Sequence, residues 1–306
     1  MEFTRKARLH TTLPERARIL SSIRDFFIQN GYLAVETPVC LPAPVPEPYI
    51  NAFASDCGYL QTSPEVCMKP LLAAGFEKIF QISRCFRQGE RGRRHLPEFT
   101  MLEWYAAGQS YTDLMETCEA LFEKLLADLS RPSQLNYQSR RIDAAPPWPR
   151  LSVSDAFHRF GGETLAGALA NDRFDEIMGL KIEPRLALSQ PVFLYDYPAR
   201  TSPLAAPHPD NPDIARRFEL YMAGLEICNG CTELADSEFQ KERFERELNR
   251  RRQAGLPEYP LPSAFLDALS EMPEAAGCAL GVDRLVMLLT DSAAIDEVVA
   301  FTGSQE

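Results

Sequence analysis

Three glutamates, Glu219, Glu226 and Glu233, recur seven residues apart in the apolar stretch Arg216–Glu233, RRFELYMAGLEICNGCTE. Carboxylates in strands of low charge need a reason, because a buried carboxylate must be paired or must bind a cation. In strand–turn–strand geometry such acids can converge on one side, and Asn229-Gly230 is a turn signal that favours a hairpin here. Three solvated edge positions are the plainer alternative. A second stretch, Phe86–Tyr105 (FRQGERGRRHLPEFTMLEWY), carries Arg87, Arg91, Arg93 and Arg94 with a lone His95, then returns through apolar residues around Glu103. A basic loop leading into β-type residues has the form of a hairpin that holds a polyanion. A third, Gly277–Leu289 (GCALGVDRLVMLL), sets Gly281 where backbone comes close to something. Its Arg284 falls in the first turn of an apolar helix, a position that disfavours a cation unless the side chain faces an anion.

Taken together, these residues supply Arg87 and Arg284 for phosphates, Phe99 as a ring to stack on, and Glu219 with Glu226 for Mg²⁺. Magnesium favours a few carboxylates plus phosphate oxygens from the substrate. The set is suited to ATP held without a Walker loop, since no GxxxxGK[ST] is present. Glu65, Glu103, Tyr105 and Glu233 remain for a second substrate, and so many carboxylates imply that it carries amines.

The elements that must position these groups can be read from periodicity. Pro14–Asn30 reads as a helix with Pro14 in its first turn, Ile19, Ile23, Phe26 and Phe27 on one face, and Gly31 as its stop. A short strand, Tyr32–Val39, follows, and then an extended loop with prolines at 42, 44, 46 and 48. Thr62-Ser63-Pro64-Glu65 starts a helix that Gly75 ends. Glu65 there either favours the helix N-terminus or points into a pocket as a cation ligand. Lys78–Arg84 and Thr100–Tyr105 are the strands flanking the arginine loop, and Tyr111–Leu129 is an amphipathic helix. Pro191–Tyr197 reads as a strand and Ser237–Ala254 as a charged helix. Residues from about 130 to 200 are read as a small insertion within one domain spanning 1–306.

Composition narrows the function. A net charge of −11 argues against a protein whose main work is gripping nucleic acid, because neutralising phosphates needs a basic surface. No apolar run approaches the roughly 18 residues of a membrane helix. The charged N-terminus lacks a signal-peptide core, so the expected location is cytoplasmic. The eight cysteines are scattered and expected to be reduced. Cys228 and Cys231 form a lone CxxC without the second pair that a zinc site would want.

The three motifs resemble those of the class II aminoacyl-tRNA synthetases. Arg87 to Tyr105 is similar to their motif 2, Gly281-Val282-Asp283-Arg284 to motif 3, and the helix from Pro14 with its strand to motif 1, the dimer-forming element. HLPEFTMLEWY and GVDRLVML are close to the lysyl branch. TSPE, MLEWY and GCALGVDRL look like the stand-alone lysyl paralogues that act on elongation factor P. The resemblance implies an α+β fold, an antiparallel β-sheet flanked by helices. With the core starting near residue 14, no N-terminal OB-fold is expected. It implies activation of (R)-β-lysine or lysine with ATP and Mg²⁺, transfer to a lysine side chain of elongation factor P, a homodimer, and no stable tRNA binding.

Carried over by residue, the resemblance implies that Arg87 contacts the α-phosphate and the substrate carboxylate. Phe99 would stack on adenine, and His95 and Arg284 would hold the terminal phosphates. Gln88, Gly89, Glu90, Leu96, Ile227 and Gly281 would complete the ATP site, and Glu219 and Glu226 would bind Mg²⁺. Ser63, Pro64, Glu65, Glu103, Tyr105, Asn229, Glu233 and Ala279 would line the amino-acid pocket, with Glu233 or Glu103 near the ε-ammonium. Ala279 stands where the tRNA-charging enzymes usually have glycine. The chain departs from the usual Phe-Arg-Asn-Glu at Phe86-Arg87-Gln88-Gly89, with Glu90 next, and Leu96 replaces a usual asparagine. Two other readings are a tRNA-independent ligase of the asparagine synthetase A type and a catalytically silent synthetase-like regulatory subunit. The lysyl-type motifs argue against the first. Retention of Arg87, Arg284, Glu219 and Glu226 argues against the second.

Overall fold

Alternation along the strands decides what this molecule does with its two sheet faces. The computed structural model describes residues 3–303. Helix α1 (Phe3–Gln29) leads to strand β1 (Leu33–Ala34), and helix α2 (Glu65–Ala73) to the long hairpin β2 (Lys78–Phe86) and β3 (Glu98–Ala107). Helix α3 (Tyr111–Asp128) follows, then β4 (Arg150–Ser152), β5 (Val192–Pro198), β6 (Asn211–Met222) and β7 (Leu225–Thr232). The chain continues through α4 (Ser237–Gln253), α5 (Ser263–Leu269), β8 (Ala275–Gly281) and α6 (Val282–Leu289). Among the described residues the main sheet has nine strands, in the order β1-β2-β3-β8-β7-β6-β5-β4, with Pro207–His208 pairing on β6. The outer β1·β2 and β5·β4 pairs are parallel, and those between them antiparallel.

On β3, Leu102, Trp104 and Ala106 enter the main apolar core, whereas Met101, Glu103 and Tyr105 line a cavity on the other face. The same period of two puts Phe218, Leu220 and Met222 of β6 in the core and Arg217 and Glu219 on the cavity side. The core is closed by α1, α3 and α6. Phe27 stacks on Phe80 at 5.0 Å, and Leu114, Cys118, Leu121 and Leu125 of α3 are fully buried against the sheet. Ser110 and Asp113 form a capping box that starts α3. The segment between β4 and β5 folds as short helices around its own apolar cluster, including Phe157, Phe174, Ile177 and Ile182.

Four expectations are corrected. Helix α1 begins at Phe3, so Pro14 lies in its interior and not in its first turn. Interior proline forfeits a rung of the helix, but tertiary bonds hold both sides of it. Thr12 donates to the Glu297 carbonyl at 2.6 Å, and Arg16 pairs with Asp283 at 2.6 Å. The strand expected over Tyr32–Val39 is only the two residues of β1. The hairpin turn of the acidic stretch is Ala223-Gly224, both at positive φ (53° and 75°), and not Asn229-Gly230, which lies inside β7. Finally, Cys40 and Cys57 form a disulfide, where all the cysteines were expected to be reduced. The small sheet of Cys40–Leu41, Gly58–Leu60 and Ala54–Ser55 brings their Cα atoms to 6.3 Å, within reach of such a bond.

Candidate active site

A cavity of about 750 Å³ opens on the polar face of the sheet. Of the residues expected to line the amino-acid pocket, Ser63, Glu65, Glu103, Tyr105, Asn229, Glu233 and Ala279 all border it, as do Arg87 and Glu219. They arrive there from β3, β8, β7 and β6, four consecutive strands of the sheet, from the start of α2 and Ser63 before it, and from Arg87 and Glu233 just beyond β2 and β7.

Two local devices make the convergence possible. Leu220 pairs with Cys228 but Tyr221 pairs with Glu226, so Ile227 is an extra residue, a β-bulge in β7. Without it, Glu226 and Glu233, an odd number of residues apart, would face opposite sides of the sheet. The second device is a pair of glycines. A Cβ on Gly230 would sit 2.6 Å from the Phe218 ring, and one on Gly277 would sit 2.3 Å from both Glu233 Oε1 and the Tyr105 ring. Gly230 is therefore a packing residue in mid-strand, which is why it does not mark a turn.

At the inner end of the cavity Glu103 accepts hydrogen bonds from Ser63 Oγ (2.6 Å) and Tyr105 OH (2.9 Å). Burial raises the Glu103 carboxyl to about 8, although the two hydroxyls and Lys69 pull it back. Lys69, one turn after Glu65 on α2, is ion-paired with Glu65 and lies 2.6 Å from Glu233 Oε2. Burial alone would lower the Lys69 ammonium, but Glu233 and Glu65 outweigh it and raise it. Burial raises Glu233 to about 7, with Lys69 opposing. Glu65 thus both begins the helix and points into the pocket, so its two readings hold together.

Toward the other end, Glu219 accepts from Tyr197 OH (2.7 Å), Tyr221 OH (2.6 Å) and Arg217, whose guanidinium lies 4.4 Å over the Tyr197 ring. Burial raises Glu219, with Arg217 opposing. Glu226 is ion-paired with Arg284 at 3.0 Å, and Arg284 also reaches His95 Nε2 at 2.5 Å. Burial would raise Glu226, but Arg284 turns the net shift downward. Burial and then Arg284 lower His95, so its ring is neutral and can accept. Arg87 lies 5.2 Å over the Phe99 ring and 3.8 Å from Glu90, and its Nε is buried without a partner. Gly89 adopts φ 84°, so this position turns the loop, and Glu90 is the acid next to Arg87. Leu96 and Ile227 are buried in the core, which leaves only their backbones for a ligand. Nothing in the chain crowds Gly281, whose absent Cβ would meet Arg284 at an ordinary 3.8 Å. Pro64 is the residue before α2 and does not itself border the cavity.

Sequence reading missed Lys69, which pairs with two lining residues, and several residues that border the cavity themselves. Lys69 is four residues from Glu65 on a helix, and Arg217 two from Glu219 on a strand, so both spacings carried the signal. Glu47, Tyr197 and Ser202 come from loops or distant strands and carried none. Burial raises Glu47 to about 6. Arg251, 1% exposed, fixes its loop by donating to the Glu47 and Ile50 carbonyls at 2.7 and 3.0 Å. Cys228 and Cys231 do not act as a pair. Cys231 borders the cavity, whereas Cys228 is buried against Cys118 in the core.

A family model described as tRNA synthetases class II (D, K and N) matches residues 1–305. The chain belongs to this family. Its fold is the class II catalytic fold, α+β with a largely antiparallel sheet, and it is an enzyme of the ligase class. It is 40% identical, over 95% of its length and 94% of the relative's, to a protein of Erwinia tasmaniensis named elongation factor P–(R)-β-lysine ligase. A protein of the same name from Pectobacterium carotovorum is 39% identical over the same shares. A lysine–tRNA ligase of Psychrobacter cryohalolentis is 37% identical, and there the match spans 62% of the relative. Among the described residues no helix is long and apolar enough to cross a membrane.

Proposed function

We propose that this class II enzyme activates a diamino acid, (R)-β-lysine or lysine, with ATP and transfers the aminoacyl group to a lysine side chain of elongation factor P. The observation that carries the reading is the amine end of the cavity, where Glu65, Glu103 and Glu233 line the wall together with the neutral Ala279 and Asn229. Near-full-length similarity to the elongation factor P ligases supports the acceptor, while tRNA ligases are matched over only about two thirds of their length.

The donors fit the nucleotide. Arg87 has an unpartnered buried Nε for an anion, Phe99 offers a half-buried ring, and Arg284 with neutral His95 sits at the start of α6 for the terminal phosphates. Gln88, Gly89, Glu90 and the backbones of Leu96, Ile227 and Gly281 complete this side. Glu219 and Glu226 are oxygen donors of the type Mg²⁺ takes, and the ion supplies neutralisation of the phosphate charge when bound. In the first step the substrate carboxylate oxygen bonds to the α-phosphorus, the bond to the β-phosphate bridging oxygen breaks, and pyrophosphate leaves. Arg87 neutralises the charge that builds on the α-phosphate. In the second step the acceptor amine bonds to the activated carbonyl carbon, AMP leaves, and the amine loses a proton. No protein nucleophile is needed, so the residues act by positioning and electrostatics.

Ser63, Pro64, Glu65, Tyr105, Asn229, Glu233 and Ala279 shape the amino-acid pocket in this reading, with Glu103 or Glu233 receiving the ε-ammonium. The remaining proposals are one catalytic domain with a small insertion at about 130–200, a homodimer, no stable tRNA binding and a cytoplasmic location. The first two and last three residues of the domain fall outside the described residues. Exposed Ile28, Leu33 and Val39, on and just after α1, support the dimer. ATP–pyrophosphate exchange with a panel of amino acids tests activation. Exchange only with aspartate would select the asparagine synthetase type, and none with any amino acid the silent subunit. Mass spectrometry of elongation factor P tests transfer, and an absent aminoacyl mass would remove the acceptor.

A further inference from the structure

Lys69 is an unusual residue to find beside an amine-binding pocket. Its side chain is 1% exposed, and its ammonium lies between Glu65 on its own helix and Glu233 beyond β7. The Phe265 ring of α5 lies 5.7 Å from Nζ, and Cys231 of β7 and Glu103 of β3 also feel its charge. Phe265 belongs to an apolar cluster with Met68, Leu72 and Phe244, and the ammonium is sealed from water. Two residues that border the pocket, Glu65 and Glu233, are thus held by a permanent ammonium of the same chemistry as the substrate's own. That ammonium already occupies two of the three carboxylates.

We infer that Lys69 is a positioning residue, a built-in counterion that sets the charge of the amine end of the pocket to match a diamino acid. The inference rests on the functional reading above. With all three ionised, Glu65, Glu103 and Glu233 set against Lys69 carry two negative charges, the complement of the two ammonium groups of a diamino acid; in the empty pocket burial keeps Glu103 protonated at pH 7, and the entering ammonium draws that proton off. The substrate's carboxylate is left to Arg87. Burial makes the balance strict, because uncompensated charge in a low-dielectric site is removed by protonation. Lys69 also steers the substrate. Glu65 and Glu233 are both ion-paired with Lys69, so the incoming amine is directed to Glu103, which accepts only from the Ser63 and Tyr105 hydroxyls.

The test compares Lys69→Met, Lys69→Arg and the double variant Lys69→Met/Glu65→Gln, using pyrophosphate exchange with L-lysine and (R)-β-lysine across pH. Loss of the ammonium leaves three carboxylates facing one another, so one or more takes up a proton. In Lys69→Met the acid limb of kcat/KM for the amino acid should move up by at least one pH unit. At pH 7, KM for the amino acid should rise at least tenfold, while KM for ATP stays within about twofold. Lys69→Arg keeps the charge and should keep the wild-type limb even if its rate falls. The double variant restores the charge count and should bring the limb back. A limb that stays at its wild-type pH in Lys69→Met, or does not return in the double variant, overturns the inference and leaves Lys69 a packing residue. ATP-induced thermal stabilisation reports that each variant is folded. Calorimetric titration with L-lysine separates the two layers of argument. Wild-type binding without exchange would sink the activation reading alone, and equal binding by wild type and Lys69→Met would sink the counterion inference alone.

Discussion

Gly277→Ala is the sharpest perturbation the structure offers. A Cβ on this glycine would lie 2.3 Å from a Tyr105 ring carbon and 2.3 Å from Glu233 Oε1, where ordinary contact starts near 3.4 Å. Both partners must therefore retreat by about 1.1 Å, the difference of the two distances. Neither can do so freely. Tyr105 is bonded to Glu103 at 2.9 Å and lies on the strand paired directly with Gly277, and Glu233 is tied to Lys69. Overpacking of this kind costs about 1–3 kcal/mol of stability, a drop of several degrees in Tm for a protein of this size. The larger effect falls on function, because a misplacement of about 1 Å in a positioning shell costs on the order of 10²-fold in rate. Pyrophosphate exchange should show kcat/KM for lysine reduced by about 10²-fold, with KM for ATP nearly unchanged. An alanine variant with full exchange activity and an unaltered Tm would refute the argument that Tyr105 and Glu233 form the wall of the amino-acid pocket.

Other expectations follow from single contacts. The Glu103 carboxyl is raised to about 8, so the folded state holds its proton between about pH 4.5 and 8 where the unfolded chain does not. The native state then binds more protons, and stability falls as pH rises through that window. Glu103→Gln should flatten this fall in a pH series of thermal melts, and an unchanged slope would contradict the raised value. Asp283 accepts from Arg16 at 2.6 Å and from the Thr100 N–H at 2.7 Å, tying α1, β3 and α6 together. Breaking that buried pair with Arg16→Met should cost about 3–5 kcal/mol in urea unfolding; a loss below about 1 kcal/mol would mean the pair is not a structural tie. Ala279 lies in register between Glu103 and Asn229 and borders the cavity. Ala279→Gly should shift exchange from (R)-β-lysine toward L-lysine, and unaltered selectivity would show that the methyl does not discriminate.

Much of this molecule was legible in the residues taken in order. The β2–β3 hairpin, α3 and the glycine-strand-helix ending at Arg284 follow from period-two and period-3.6 patterns, which are local properties of the chain. The groups that border the cavity on β3, Glu103 and Tyr105, were marked by being polar in an apolar run. What the order of residues left open was decided by contacts between distant segments. Pro14 stays inside α1 because bonds from Thr12 and Arg16 to residues near the C-terminus hold the helix on both sides of it. Asn229-Gly230 has the composition of a turn, yet the Phe218 ring against Gly230 needs a residue without Cβ in mid-strand, and the turn falls to Ala223-Gly224. Above all, the equal spacing of Glu219, Glu226 and Glu233 marked the three acids without orienting them. An odd spacing in a regular strand separates side chains onto two faces. Only the extra residue at Ile227, visible once β6 and β7 are paired, turns Glu226 and Glu233 to the same side.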